Sequence, residues 1–267
     1  MNRPFGYHVL RQNGITMRKR FSKKDEARQA VWDRLQNERV ARFPFPPHGR
    51  IPNFAGAEQA AKRLFELFPW KNAKRLKINP DAPQRPVREE ALRRGIKVYV
   101  PTPRLRGGFM LFDPATIPLD QIRKATGLTT GKRWAKAVPL KKLPPMDAIV
   151  CGSVAVTRSG HRCGKGEGYS DLEYAMLREL GYPAVPVATT VHGVQILDEF
   201  PRDSNDLPLS VIVTPEETIR VRRSSKPPDG IDWTLLTEED LEAMPVLLEL
   251  KSLKPTSGRG RPSRPKR

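Results

Sequence analysis

Cysteine, long apolar runs and internal repetition are all scarce in this 267-residue chain. No run reaches the roughly 18 apolar residues of a membrane-spanning helix. The first residues carry Arg and Lys but no apolar segment of signal-peptide length, so they do not read as a secretion signal. Met17 offers a second start, which would make the first sixteen residues an extension. The two cysteines, Cys151 and Cys163, stand twelve apart, which is neither a metal-ligand nor a redox spacing. A reduced, cytoplasmic setting is the expectation. No heptad pattern and no repeat of fixed period occurs, which excludes coiled coils and solenoids.

What is present is a core-forming sequence with a displaced charge. Hydrophobic residues make up 38% of the chain, and 27 prolines, many at segment edges, suit a loop-rich α/β protein. The net charge is +19. Residues 1–24 contribute seven Lys/Arg and no acid, and residues 251–267 contribute the same, which leaves +5 for residues 25–250. The body is thus mildly basic, as suits binding of polyanionic ligands, and the ends add non-specific attraction to nucleic acid.

The pattern predicts three parts: a basic extension over 1–21, an α/β domain over 22–250 and a disordered basic tail over 251–267. Ser22 reads as the N-cap of a first helix, with Asp25 and Glu26 in its first turn and Ala27, Val31, Leu35 and Val40 at helical spacing. Residues 55–68 read as a second amphipathic helix. An alternation follows: strands over 74–78, 97–100, 147–152, 185–191 and 209–214, and helices over 87–94, 119–126, 171–180 and 237–244, the last capped by Thr237. Strands separated by helices imply a three-layer domain, with a mostly parallel sheet covered by helices on both faces. The tail after Lys251 has one apolar residue, Leu253, and cannot offset its ordering entropy.

The segment carrying chemistry runs from Asp147 to Asp171 and reads as a strand, a long loop and a helix. Gly164, Gly166 and Gly168 alternate, which lets backbone N–H groups crowd an anion without Cβ clashes. Arg162 and Lys165 supply cationic donors. Asp171, near the start of the following helix, either caps it or holds a Mg²⁺ that bridges nucleotide phosphates. The segment matches neither the P-loop nor the dinucleotide fingerprint. A glycine cluster by itself fits a plain turn as well as an anion loop.

Taken together, Arg162-x-Gly164-Lys165-Gly166-x-Gly168-Tyr169-x-Asp171 resembles the R-x-G-[RK]-G-x-G-Y-x-D loop of the 5-formyltetrahydrofolate cyclo-ligases. Lys24-x-x-x-Arg28 resembles that family's N-terminal motif, and Gln195, Pro201, Asp206 and Val211–Pro215 its late segment. His48–Phe54, Pro101–Leu105 and Gly164–Tyr174 resemble the branch of methenyltetrahydrofolate synthetase domain-containing proteins. The resemblance implies a three-layer α/β fold and ATP- and Mg²⁺-dependent conversion of 5-formyltetrahydrofolate to 5,10-methenyltetrahydrofolate. It implies that Arg162 and Lys165 clamp phosphates with Lys24 and Arg28, that Asp171 holds Mg²⁺, and that Tyr169 lines the nucleotide or folate pocket. Arg104 and Arg106 are candidates for the folate carboxylates, against a reading as plain surface charge. A monomer is expected.

Three departures stand out. Glu167 replaces a Lys, Ser170 replaces a second Tyr, and Asn79-Pro80-Asp81 stands where the family has an acidic E-x-D-T stretch. Two unit charges 4 Å apart interact by about 4 kcal/mol at an effective dielectric of 20, so reversing a phosphate-facing charge is a substantial change. The departures favour a second reading: a paralogue that keeps the pocket, has lost turnover and acts through its basic ends on nucleic acid or a protein partner.

Elsewhere, His192 reads as a hydrogen-bonded structural residue, His161 as exposed, Lys97 as a solvated face and Cys151 as a small apolar residue. Gly258–Pro262 resembles the core of an AT-hook, although non-specific polyanion contact is the stronger expectation for the tail. On this reading, deleting residues 251–267 abolishes nucleic-acid binding and flattens its salt dependence, as measured by titration at several salt concentrations; unchanged affinity would contradict it.

Overall fold

The structure, a computed structural model, describes residues 20–127, 129–222 and 225–253. The second-start candidate Met17, nearly all of the N-terminal extension and the AT-hook-like segment lie outside the described residues.

Helix α1 (Lys24–Asn37) leads into a short ribbon of β1 (Ala41–Arg42) and β2 (Asn53–Phe54), then α2 (Ala57–Leu64). Three alternating elements follow: β3 (Arg75–Ile78), α3 (Arg85–Arg93) and β4 (Lys97–Pro101). The chain turns back through β5 (Phe109–Phe112), the single-turn α4 (Ile122–Ala125) and β6 (Lys136–Val138). It returns to the centre with β7 (Ala148–Val150), makes a small hairpin of β8 (Ala155–Thr157) and β9 (Arg162–Cys163), and enters α5 (Tyr169–Glu179). The last elements are β10 (Val187–Thr190), β11 (Ile196–Leu197), β12 (Val211–Val213), β13 (Thr218–Arg220), α6 (Glu238–Ala243) and α7 (Pro245–Ser252).

Eight strands form one sheet in the order β13-β12-β10-β7-β3-β4-β5-β6. The five from β12 to β4 are parallel, and β13, β5 and β6 add antiparallel edges. Side chains alternate across it as strand geometry requires. Leu76, Ile78, Val98, Val100, Ala148 and Val150 enter one core with Val31, Leu35, Leu64 and Val87 of α1, α2 and α3. Tyr99, Phe109, Ile149, Cys151 and Ile212 enter a second core with Tyr174 and Met176 of α5 and Leu247 and Leu250 of α7. This is the expected three-layer arrangement with helices on both faces. From β3 the chain winds one way to β4, and from β7 the other way to β10 and β12, so the β3/β7 boundary is a switch point where open α/β sheets bind ligands.

Several expectations are corrected. The N-cap of α1 is Lys23, without a side-chain cap; Ser22 lies one residue earlier and bonds the Glu26 carboxylate at 3.0 Å. α1 ends at Asn37, before Val40, and α2 ends at Leu64 rather than 68. Residues 119–125 are a 3₁₀ turn followed by one α turn. The long loop before α5 contains the β8–β9 hairpin, and α7 carries ordered structure through Ser252, past the boundary expected at 250. The Thr237 cap is present as a capping box with Asp240.

One strand residue breaks the apolar pattern. Lys77 in β3 is fully buried on the α5 side, where it meets Glu173 and donates to Asn79 Oδ1 at 2.5 Å. Burial pushes the Glu173 carboxyl above the usual carboxylate range, against the pull of Lys77. Breaking one partner of such a pair costs about 3–5 kcal/mol, while replacing both by apolar groups is about neutral or stabilising. Lys77→Met is therefore expected to lower the urea midpoint sharply and Lys77→Met/Glu173→Leu to restore it; equal losses in both variants would contradict this account.

Candidate ligand site at the carboxyl edge of the sheet

A cavity of about 600 Å³ opens beyond the carboxyl ends of β3 and β4. Its floor is Asn79–Asp81 after β3 and Thr102–Arg104 after β4, and its back wall is the loop 162–168 with the first turn of α5. α1 contributes Lys24 and Arg28, the segment 203–206 contributes Asp203 and Asp206, and residues 228–236 close the far side with Ile231, Leu235 and Leu236.

The glycine loop is shaped by conformation. Gly166 has φ +113° and Gly168 φ +69°, positions where a side chain is strained. Gly168 is the N-cap of α5, and no side chain caps the helix. The N–H groups of Tyr169 and Ser170 therefore begin a helix with no intrahelical partner, an anion-binding arrangement. Asp171, expected to cap the helix or to hold metal, does not cap it. It lies within the first turn, and its Oδ1 accepts from Arg162 at 2.5 Å and from the Leu207 N–H at 2.8 Å. Its Oδ2 makes no hydrogen bond among the described residues.

Arg162 is buried, with 3% of its surface exposed, and also donates to Gly152 O at 2.9 Å. Burial opposes its charge, but Asp171 and the more distant Asp206 hold it protonated above the ordinary Arg value. Lys24 is held between Asp203 (2.6 Å) and Asp206 (2.6 and 2.7 Å). Here too burial is the largest influence, and hydrogen bonds to the two carboxylates overcome it and raise the Lys24 pKa. Arg28 donates to Gly164 O at 2.7 Å and pairs with Asp25. Lys165 pairs with Glu167 at 2.7 Å on the loop surface. Arg104 lines the cavity from an exposed left-handed position (φ +53°); Arg106 does not line it.

Sequence reasoning brought together Lys24, Arg28, Arg162, Gly164, Lys165, Gly166, Gly168, Tyr169 and Asp171, all of which line this cavity. It did not find the acidic counterparts. Asp203 is one of these, and its i, i+3 spacing from Asp206 was the available signal. Asp81, noted in the sequence only as part of the departure Asn79-Pro80-Asp81, also lines the cavity; burial pushes its carboxyl up against the pull of Arg88, Lys165 and Lys77. Arg88, itself fully covered, is lowered by burial to about 10 and donates to the backbone of Asn79 and Asp81. The departures Asn79 and Ser170 face each other: Asn79 Nδ2 donates to Ser170 Oγ at 2.7 Å. His192 accepts from the Val194 N–H, as the structural reading expects, and Cys163 is a buried strand residue; His161, expected to be exposed, is half-buried, and burial lowers its pKa. Lys97 pairs with Asp113 at 3.0 Å. Among the described residues, no group of three or more His, Cys, Asp or Glu could hold a metal alone, and no helix is long and apolar enough to cross a membrane.

The fold is a doubly wound α/β sheet, and the glycine loop with its uncapped helix N-terminus puts the candidate ligand site at the sheet's switch point. The sequence pattern of the 5-formyltetrahydrofolate cyclo-ligase family matches residues 18–215, and the chain belongs to that family. It is similar to the methenyltetrahydrofolate synthase domain-containing proteins of Mus musculus (39% identity) and Bos taurus (38%), over 88% of this chain in each case. It spans only 65% and 64% of the length of those relatives. A 5-formyltetrahydrofolate cyclo-ligase of Mycolicibacterium smegmatis is 28% identical over 47% of this chain and 76% of that protein. Among solved structures, the 5,10-methenyltetrahydrofolate synthetase of Aquifex aeolicus aligns with a TM-score of 0.49 at 20% identity, covering 77% of this chain and 96% of that one.

Asp81 provides a stability test. Its folded pKa lies above the unfolded value, so its favourable contribution is present below the unfolded pKa and is lost as pH rises through the folded pKa. Asp81→Asn is therefore expected to gain melting temperature relative to the wild type as pH rises from about 3.5 to 7; a gap that shrinks over that range would contradict it.

Proposed function

We propose that the cavity binds Mg²⁺-ATP beside a reduced folate and closes N10 onto the formyl carbon of 5-formyltetrahydrofolate, giving 5,10-methenyltetrahydrofolate. The observation that carries this reading is the convergence of an uncapped helix N-terminus, two left-handed glycines and the cations Lys24, Arg28 and Lys165 in one cavity at the switch point. The donor set fits the group. First-turn N–H groups and these cations suit phosphate oxygens, and Asp171 Oδ2 and Asp81 are hard oxygen donors, of which Mg²⁺ on a nucleotide takes one or two.

When bound, Mg²⁺-ATP supplies the phosphoryl group that makes the formyl oxygen a good leaving group. The chain's part is positioning and charge neutralisation. Tyr169 and Ser170 present N–H groups, and Arg28 holds the loop by its bond to Gly164 O. Arg162, buried beneath the loop, orients Asp171 rather than touching phosphate. Lys165 reaches phosphate by leaving Glu167; that pair is 37% and 42% exposed, and exposed pairs are worth only about 0–1 kcal/mol, so a phosphate competes readily. Glu167 therefore costs far less than a bare charge reversal implies. Leu172, Ile231 and Leu236 offer an apolar wall to a flat heterocycle, and Arg104 at the rim suits the folate carboxylates.

One observation favours the second reading, a ligand-binding paralogue without turnover. The cavity lining holds seven acidic side chains against five cationic ones, an unusual balance for a triphosphate site. The two readings separate in one assay: absorbance of the methenyl product with purified protein, 5-formyltetrahydrofolate, Mg²⁺ and ATP. Turnover is expected, with about 100-fold loss or more in Asp171→Ala and in Asp171→Asn, which can still accept the Arg162 and Leu207 hydrogen bonds. Absent turnover, with ATP and folate still binding by calorimetry, would replace the cyclo-ligase reading with the paralogue.

A further inference from the structure

The mild +5 of residues 25–250 conceals a concentrated patch. Residues 121–146 contain seven Lys/Arg and no acid. Arg123 and Lys124 end α4, Lys132 and Arg133 lie in the 3₁₀ turn Thr130–Trp134, Lys136 opens β6, and Lys141 and Lys142 follow in the next 3₁₀ turn. The fold gathers Arg123, Lys124, Lys132 and Arg133 on the α1–α3 side of the sheet, and β6 carries the chain round the sheet edge to Lys141 and Lys142, whose turn packs on the α5 side through Leu140 and Leu143. The Thr130–Trp134 turn packs on α4, with Gly131 donating to Gly127 O at 2.8 Å and lying so close to Ala125 O that a Cβ there would stand 2.1 Å from it. One residue later the chain becomes β6, the free edge of the eight-stranded sheet.

All seven side chains are exposed, and none makes an ion pair among the described residues. The contrast with the cavity is sharp, where Lys24, Arg28, Arg162 and Lys165 each have a carboxylate partner. Asp113, on the neighbouring strand's end, is already paired with Lys97. Guarding an edge strand against pairing needs a charge or two within the strand itself; six of these seven lie outside it.

We propose that this β6 edge is a binding surface for double-stranded nucleic acid, gripped through its phosphate backbone without base readout. Exposed cations without an ion-pair partner among the described residues, bordered by Asp113, Asp120 and Glu89, match the densest polyanion available, which carries about one charge per 1.7 Å of axis. Two features select a duplex over other polyanions. Trp134, the sole aromatic of the stretch, is half-buried and has the Arg133 guanidinium 3.8 Å from its ring centroid, so no free ring stacks an unpaired base. Among the described residues of 121–146 no large apolar side chain is exposed, and the single exposed Leu119 just before them offers little apolar area to a bilayer. This surface revises the expectation that the tail carries all nucleic-acid contact: deleting 251–267 leaves it intact.

The test uses the full chain and the variant Lys132→Gln/Lys136→Gln/Lys141→Gln/Lys142→Gln, none of whose positions lines the cavity. Anisotropy of a fluorescent duplex of arbitrary sequence is followed over a salt series, with an unlabelled duplex of unrelated sequence as competitor. The wild type is expected to bind both duplexes alike. The variant is expected to bind at least about tenfold more weakly, with a salt slope shallower by about 3–4, since each lost phosphate contact removes about 0.9. Melting temperatures within a degree or two of each other show that the fold is kept. An unchanged slope and affinity would overturn the proposal. So would a larger effect of the four substitutions on binding to phosphatidylserine vesicles or to polyglutamate than on binding to the duplex.

Discussion

A guanidinium almost removed from water has to be neutralised where it stands, because moving such a charge inward costs several kcal/mol unless partners meet it. Arg162 is in that position, and the site is organised around its partners. One arm of its fork reaches Gly152 O, just past the carboxyl end of β7, and the other reaches Asp171 in the first turn of α5. Asp171 accepts in turn from the Leu207 N–H, next to Asp206, and Asp206 holds Lys24 of α1. The sheet, the glycine loop, α5, the 203–207 segment and α1 are thus linked by one chain of charge-assisted contacts. Arg162 is a structural centre, and the charges available to a ligand lie outward from it.

The second buried pair, Lys77 with Glu173, does similar work two residues further along α5. It ties β3 to the same helix, and Asn79, just beyond the end of β3, reaches Ser170. The departures from the family loop are therefore coupled rather than scattered. Ser170 is short where the family has Tyr, and Asn79 fills toward it; Glu167 reverses a charge, and Lys165 pairs with it.

Charge is partitioned between two places with opposite logic. At the cavity, carboxylates pre-empt nearly every cation, so an incoming anion must exchange partners. At the β6 edge, exposed cations outnumber the acids that border them, make no ion pair among the described residues and present a field to solvent. The same average composition covers both, and only the placement of strands separates them.

Much of this was legible from residue order. Five parallel strands, the helices between them, the Thr237 cap and the glycine loop follow from period, turn residues and spacing, because those signals are local. The loop's cations were also legible, since a cluster of Arg, Lys and Gly within ten residues must share one neighbourhood. The short strands β5, β6, β8, β9 and β13 were not, because strands of two to four residues carry too little alternation to stand out and exist only through pairing. Nor could sequence show that Lys24 meets Asp203 and Asp206, some 180 positions away, or that Arg162 is buried against Gly152 and Asp171. By itself the sequence determined the class of fold and the chemistry gathered at the loop. The tertiary structure alone decided which of those charges are spent on holding the fold and which remain for a ligand, because ion pairing depends on distances between segments that have no relation along the chain.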